Sequence, residues 1–482
     1  MIKKESLDNL VIKGIYWRSF ANIAQHIAQI VFTIVLARLL SKSDFGLLAI
    51  ALIVNRFVRT FTQFGFGTAV IQSQEINEGQ ISAIFYIQSS FNLILSFIVF
   101  LSAGFFSDYF GEPDLIPIIK VMSCIIFIRS FRYPFVLMRK NMNFKDFSLI
   151  EIYSLIFSNV IAIILALLNF GVWSLVFRQI LATLSSAILS FYYSKWVPKN
   201  PDFSNILSFF KFGFNLLGSN IINFATQNVV GILTAKFLGK DIMGLFTIAY
   251  NLAITPSSKI QSILTSVLTP GYSRLQYEIG KFKKNYVKAI RVSCVFFIPF
   301  MILLGSSSES LVLLFYGDKW IGSASILELL VFVGIFRGIN YIMVSSIIAK
   351  GKPNFILISS FLDLLISLPF MYYLLPIYKI NGLIFGYFIG SLFNFLLLSY
   401  YFDKIVANKF VVIKALKNSL IFGFMIFLLS FFIKRLNFNY FLEFTSIFFF
   451  GFITLMLLIY YFERELLIKL KSKIISRHDK KN

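Results

Sequence analysis

Fourteen apolar runs, each long enough to cross the roughly 20-residue span of a bilayer's hydrocarbon core, leave this chain little alternative to a membrane-spanning helical bundle. They fall near residues 14–38, 45–66, 81–106, 116–137, 147–168, 171–194, 208–236, 243–268, 286–315, 322–348, 354–375, 380–402, 412–433 and 441–462. The connections are short, none above about 20 residues, so no separate soluble domain is expected. With 58% hydrophobic and only 14% charged residues over 482 positions, a water-soluble surface could not be covered.

An even number of spans puts both termini on one side of the membrane, and Lys and Arg accumulate on the cytoplasmic side. With the N-terminus inside, and Arg38, Lys211, Lys236, Lys288, Arg291, Lys414 and Lys417 near the span ends counted with their loops, the inner loops and tails hold 28 of the 45 Lys and Arg residues, the outer loops 8, and the spans 9. The heaviest inner clusters run from Arg274 to Arg291 and from Arg464 to Lys481; the inner loop at 67–80 dissents, with no Lys or Arg and two glutamates. The net charge of +23 is therefore a topology signal, and no nucleic-acid partner is expected. Trp17, Trp173, Trp196 and Trp320 fall at span ends, where an amphipathic ring settles among headgroups. Cys124 and Cys294 lie inside spans, no ligand pattern suggests a metal site, and no cofactor is implied. The basic N-terminus, with Lys3, Lys4 and Lys13, leads into an apolar stretch too long for a signal-peptide core, and is read as a retained first span.

Residues 11–51 align without gaps to residues 209–249, with thirteen identities in 41 positions, among them Asn22 with Asn220, Gln29 with Gln227 and Gly46 with Gly244. Six spans separate the copies, which preserves orientation and makes them parallel repeats about the membrane normal, a plan used by secondary transporters. The expected fold is an all-α polytopic membrane protein of about 14 transmembrane helices. It comprises a six-helix lobe over 1–200, a second over 201–405, and two extra helices with a basic cytoplasmic tail over 406–482. The expected cavity lies between the lobes.

In span 1, Arg18, Asn22, Gln25, His26 and Gln29 share one helical face. In span 7 the matching face carries Asn215, Ser219, Asn223, Thr226 and Gln227, with Asn220 alongside. Amides and small hydroxyls also tie membrane helices together, so cavity lining and packing both remain open for them. Charges inside spans are more informative, since each costs about 2.5–3.5 kcal/mol in hydrocarbon on an insertion scale. Arg56 and Arg59, Arg129 and Arg132, Lys259 and Arg337 all fall between mid-membrane and the cytoplasmic ends of spans 2, 4, 8 and 10, a basic collar. Three-residue spacing puts each Arg pair on one face, where planar forks can grip phosphate oxygens. Arg18, Lys120, Arg132 and Arg178 are also open to snorkelling toward headgroups. Asp363, deep in span 11, is placed to neutralise Arg337 as a structural or gating pair. Pro134, Pro256, Pro299 and Pro369 lie within spans as candidate kinks.

Ala37-Arg38-Leu39-Leu40, Asp44-Phe45-Gly46-Leu47, Phe64-Gly65 and Ile71-Gln72 resemble the opening of bacterial polysaccharide exporters of the Wzx type. The likeness continues through Arg139 with Met142-Asn143-Phe144, Gly171-Val172-Trp173-Ser174-Leu175-Val176, Pro270-Gly271-Tyr272-Ser273-Arg274-Leu275-Gln276 and Gly317-Asp318-Lys319-Trp320. The resemblance implies a member of the superfamily that also holds MATE drug exporters and lipid II flippases. Its cargo would be an undecaprenyl-diphosphate-linked oligosaccharide, carried from the cytoplasmic to the outer leaflet of the bacterial inner membrane for O-antigen, capsule or exopolysaccharide assembly. The partners are then the polyprenyl-diphosphate-linked oligosaccharide and the lipid bilayer, with the polysaccharide polymerase machinery as a further candidate. Arg56, Arg59, Arg129, Arg132, Lys259 and Arg337 would attract the diphosphate, and Asn22, Gln25, Gln29, Asn220, Asn223 and Gln227 the sugar hydroxyls, in an alternating-access cycle without covalent chemistry. A lipid II flippase is the near alternative. A MATE-like exporter of cations should place carboxylates in its cavity, yet spans 1, 2, 7 and 8 contain no Asp or Glu. An enzyme on the same substrate would need catalytic groups on a sizeable outer loop, which is missing.

Overall fold

The structure, a computed structural model, describes residues 7–62, 67, 70–71, 73, 76–204, 206–273, 278–405 and 411–462. Phe64, Gly65, Gln72, residues 274–276 and the basic tail from Arg464 lie outside the described residues, as do the side chains of Asn215, Ser219 and Lys259. Among the described residues every regular element is helical. In chain order these are α1 (Leu7–Leu39), α2 (Lys42–Thr62), α3 (Glu78–Leu101), α4 (Ala103–Phe110), α5 (Leu115–Ile128), a 3-10 turn at Arg129–Arg132, α6 (Pro134–Lys140), α7 (Phe144–Leu167) and α8 (Val172–Ser194). They continue with α9 (Ile206–Ser273), α10 (Ile279–Ser306), α11 (Ser308–Phe315), a 3-10 turn at Asp318–Trp320, α12 (Gly322–Ala349), α13 (Pro353–Ile405), α14 (Val411–Lys434) and α15 (Tyr440–Phe462).

Ten of the described helical stretches are long and apolar enough to cross a membrane. The fourteen crossings expected from sequence are recovered from the breaks: α9 divides at Gly239 (φ 77°, ψ 179°) and α13 at Lys379 (φ 50°, ψ −126°), and the fourth crossing is the broken stretch α5, 3-10 turn and α6. The chain is thus an all-α polytopic membrane protein. Gly239 is the repeat partner of Ser41, where α1 gives way to α2, so both copies break at the same place.

Local geometry carries the duplication beyond the 41 aligned residues. The eight-residue α4 after α3 is matched by the eight-residue α11 after α10. Positive φ at Gly111, Met142 and Gly171 recurs at Gly317, Gly351 and Lys379. Gly171 (φ 55°, ψ −132°) and Lys379 adopt nearly the same conformation between the fifth and sixth helices of their repeats.

Two compact units follow from the contacts, Met1–Gly244 and Leu245–Asn482. Within the first, the repeat copies meet where small residues allow backbones to touch: a Cβ on Gly46 would overlap the Lys240 carbonyl, and one on Gly244 the Lys42 carbonyl. The contact is reciprocal, since Lys42 and Lys240 are themselves repeat partners. Beside it, Lys240 Nζ pairs with Glu112 (3.1 Å) and Asp114 (2.7 Å) in the turn before α5, and the Asp114 carboxylate raises the Lys240 pKa. Gly14 similarly lets α1 lie close against Phe144 at the head of α7. In the second unit, α14 and α15 are built onto α10, with Val295 and Leu303 in one core with Phe422, Ile426, Ile447 and Ile459.

Trp320 departs from the headgroup placement expected of it. Its 3-10 turn carries it inward, where it is fully buried. Pro134 starts α6 rather than kinking a continuous helix, where its missing N–H costs nothing.

At Gly46, any side chain must displace a backbone carbonyl, an overpacking cost of about 1–3 kcal/mol. Gly46→Ala is expected to lower the thermal unfolding midpoint of the purified protein, whereas Gly218→Ala, whose Cβ meets nothing within 4 Å, should leave it level or higher. Equal midpoints would contradict the close approach.

Candidate functional site: an arginine-lined cavity

Polar residues of four segments in the first unit converge on a cavity of about 300 Å³. From α1 come Gln25 and Gln29; from the 3-10 turn Arg129 and Arg132; from α7 Glu151, Ser154, Ser158 and Asn159; and from α8 Arg178, Gln179, Thr183 and Ser186. The spacing explains the convergence. Gln25 and Gln29 are one α-turn apart, as are Ser154 and Ser158, and a 3-10 helix with three residues per turn eclipses side chains at i and i+3. Arg129 and Arg132 are therefore stacked side by side.

Hydrogen bonding leaves acceptors facing the cavity. Ser158 and Ser186 hydroxyls donate to the carbonyls of Leu155 (3.1 Å) and Thr183 (2.9 Å), and Thr183 to that of Gln179 (2.9 Å), spending their protons within their own helices. The Ser154 hydroxyl and Arg132 Nε are buried without a protein partner. Glu151 is the one carboxylate among the lining residues: Arg18 Nη1 donates to its Oε2 at 2.8 Å and Gln25 Nε2 at 3.2 Å. Phe147, one turn earlier, takes the guanidinium groups of Arg18 and Arg139 against its ring, with carbons 4.5 and 5.0 Å from the centroid. Arg132 lies against Phe135 at 4.8 Å. Arg18, Arg129, Arg132 and Arg178 against Glu151 leave a formal charge of +3. Desolvating such an excess is costly, so the site is suited to hold water and anions.

The other sequence-predicted residues are placed as follows. Arg56 and Arg59 are exposed on α2 and do not line the cavity. Arg56 Nη1 donates to Asn228 Oδ1 at 3.2 Å, and Arg59 is near enough to repel Arg129 and Arg132. Asn22 and Asn220 are half-buried and Asn223 and Gln227 exposed, none lining the cavity; Thr226 bonds back to the Ile222 carbonyl (2.8 Å). Lys259 sits on α9 with its side chain outside the described residues. Glu151 and Arg178 are the residues that sequence reasoning missed or set aside. Periodicity offered a signal for Glu151, which shares a face with Ser154 and Ser158.

In the second unit, Arg337 of α12 and Asp363 of α13 meet at 3.8 Å, both nearly fully buried, and Tyr387 lies under the guanidinium at 4.4 Å. Gly390 makes room for the Asp363 carboxylate, since a Cβ there would stand 2.5 Å from Oδ1. This pair belongs to a separate polar cluster and is not part of the cavity.

Comparison with known proteins gives a consistent picture. Residues 35–325 match a family described as polysaccharide biosynthesis protein. The lipopolysaccharide biosynthesis protein WzxC of Escherichia coli (strain K12) is 26% identical over 357 residues, 72% of each chain. Among solved structures, the lipid II flippase MurJ in an inward closed conformation is similar with a TM-score of 0.74 at 17% identity, over 94% of this chain and 100% of that one. An inward-facing MATE family transporter of the MOP superfamily gives 0.62 at 14% identity, over 80% of this chain and 95% of that one. At these identities the structural likeness shows a shared fold.

Breaking a buried ion pair from one side leaves an uncompensated charge and costs about 3–5 kcal/mol, whereas replacing both partners by apolar groups is far cheaper. Asp363→Asn is thus expected to lower the thermal unfolding midpoint more than the double change Arg337→Met/Asp363→Leu. An Asp363→Asn protein as stable as the unaltered chain would contradict the pairing.

Proposed function

The chain belongs to the polysaccharide biosynthesis protein family, and from that premise we propose that it is a flippase for undecaprenyl-diphosphate-linked oligosaccharide repeat units. It moves them from the cytoplasmic to the outer leaflet of the bacterial inner membrane for assembly of surface polysaccharide, O-antigen or exopolysaccharide among them. The observation that carries the reading is the cavity, whose lining residues together with Arg18 carry a formal charge of +3, set among apolar membrane-length helices and lined by arginine forks and amides. A diphosphate is the anionic part of such a cargo, and its oxygens suit paired guanidinium forks.

Arg129 and Arg132 bind the phosphate oxygens, Arg178 supplies a third charge, and Gln25, Gln29 and the hydroxyl acceptors of α7 and α8 receive sugar hydroxyls. Arg56, Arg59 and Lys259 act as an approach field, whereas Arg337, buried against Asp363, is a structural charge. The lipid tail stays in the bilayer, and no bond is made or broken. Both termini are cytoplasmic, as the asymmetry of 28 inner to 8 outer basic residues supports. The repeats over 1–200 and 201–405 carry an alternating-access cycle, with 406–482 added to the second. The polysaccharide polymerase machinery is the partner that receives the product. A lipid II carrier would present the same diphosphate, so the exported glycan, rather than the site, separates that alternative.

Arg129→Ala and Arg132→Ala are each expected to cut surface polysaccharide in a complemented null strain by about tenfold or more, the loss of roughly one charge-assisted contact of 1.4 kcal/mol or above. The Lys variants, which keep charge but lose the fork, should fall between. Membrane levels are measured alongside. Well-expressed Ala variants that restore wild-type polysaccharide would show the proposed site to be wrong.

A further inference from the structure

Glu151 raises a question that diphosphate binding alone leaves open. A site built to attract an anion gains nothing from a carboxylate on its wall, yet Glu151 lines the cavity with Arg129, Arg132 and Arg178. It is firmly held, accepting from Arg18 at 2.8 Å and Gln25 at 3.2 Å, and its field reaches Arg132 and Arg139. It is also reachable, with 23% of its side chain exposed.

Resting on the diphosphate reading above, we propose that Glu151 is a specificity-determining residue, a tethered anion that holds the arginine cluster against singly charged lipid headgroups and yields only to a diphosphate. The surroundings of the cavity supply the reason. A bilayer presents phosphodiester headgroups of charge −1 at every point of its surface, and an uncovered set of guanidinium groups inside the membrane would bind them indiscriminately. A tethered carboxylate competes at an effective concentration in the millimolar range or above. Exchanging it for another single charge returns nothing. A diphosphate brings at least two charges and enough oxygens to engage both forks of the 3-10 turn, so its gain survives the exchange. Specificity of this kind is built from what repels the wrong ligand as much as from what attracts the right one.

The local design fits an exchange. Arg18 is held a second time, by the Phe147 ring at 4.5 Å, so releasing Glu151 does not leave the guanidinium without a seat. Gln25 can turn its amide from the carboxylate to a phosphate or sugar oxygen without any change of charge. Among the described residues the charged side chains about Glu151 are cations: Arg18 from α1, Arg132 from the 3-10 turn, Arg139 from α6 and, lining the same cavity, Arg129 and Arg178.

The test uses the full-length purified protein with farnesyl diphosphate and farnesyl methyl phosphate, a phosphodiester of charge −1, as probes, their binding measured by calorimetry. Wild type should favour the diphosphate by about tenfold or more. Glu151→Gln keeps the shape and the Gln25 contact but removes the charge, so the phosphodiester should tighten about tenfold and the preference collapse. Arg18→Gln, which leaves Glu151 free to bind Arg132, should weaken both probes, and adding Glu151→Gln to it should restore them; a carboxylate that only braced the helices would show no such rescue. Arg129→Ala should weaken both probes in either background. If Arg129→Ala weakens binding while Glu151→Gln leaves the preference intact, the filter is overturned and the site stands. If Arg129→Ala binds both probes like wild type, the diphosphate site itself is wrong and the filter falls with it.

Discussion

Charge without enough counter-charge, placed inside the membrane, is the constraint around which the first unit is organised. Arg129, Arg132 and Arg178 face one cavity whose one lining carboxylate among the described residues is already bound to Arg18 and Gln25. Each uncompensated charge costs several kcal/mol in hydrocarbon, and closing the helices over them would leave buried donors such as Arg132 Nε unanswered. An open, wettable cavity removes the penalty and becomes a place for an anion. The second unit treats its buried guanidinium oppositely, giving Arg337 a carboxylate at 3.8 Å and an aromatic face at 4.4 Å. One arginine is neutralised in place while the others are left with capacity to spare, and that contrast separates a structural charge from one available to cargo.

Backbone breaks put these side chains where they act. The 3-10 turn aligns Arg129 with Arg132, and the turn at Gly171 starts α8, which brings Arg178 to the cavity that Glu151 of α7 also lines. Close approaches at Gly14 and at Gly46 with Gly244 bring the neighbouring helices into contact through backbone rather than through long side chains. Glycine at such points is enforced by steric overlap, which explains why the second pair belongs to the strongest stretch of the repeat.

Much of this was legible in the sequence, and the failures have physical causes. The fourteen crossings follow from apolar length, and the pairing of Arg129 with Arg132 and of Gln25 with Gln29 from helical spacing. Glu151 was overlooked because it stands four residues into its span, where an acid looks like a boundary residue, and Arg178 because a long basic side chain near a span end can snorkel. Whether such a residue turns to the headgroups or into the bundle depends on which helix packs beside it, and that is a tertiary fact. The repeat was visible over only 41 residues because its offset drifts from 198 in the first helices to between 206 and 209 at the later breaks, beyond the reach of an ungapped comparison. Trp320 followed composition rules at a span end, yet a 3-10 turn folds it inside.

The central claim, that an arginine-lined cavity carries a diphosphate headgroup across the bilayer, is tested most directly by reconstitution. Purified protein in liposomes would be supplied with a fluorescent polyprenyl-diphosphate-linked sugar on one leaflet, and its appearance on the other followed by quenching from outside. The account predicts transfer by the unaltered protein, loss of transfer when Arg129 and Arg132 are both replaced by Ala, and competition by farnesyl diphosphate. Transfer that persisted in the double variant at equal reconstitution, or that ignored the competitor, would contradict it.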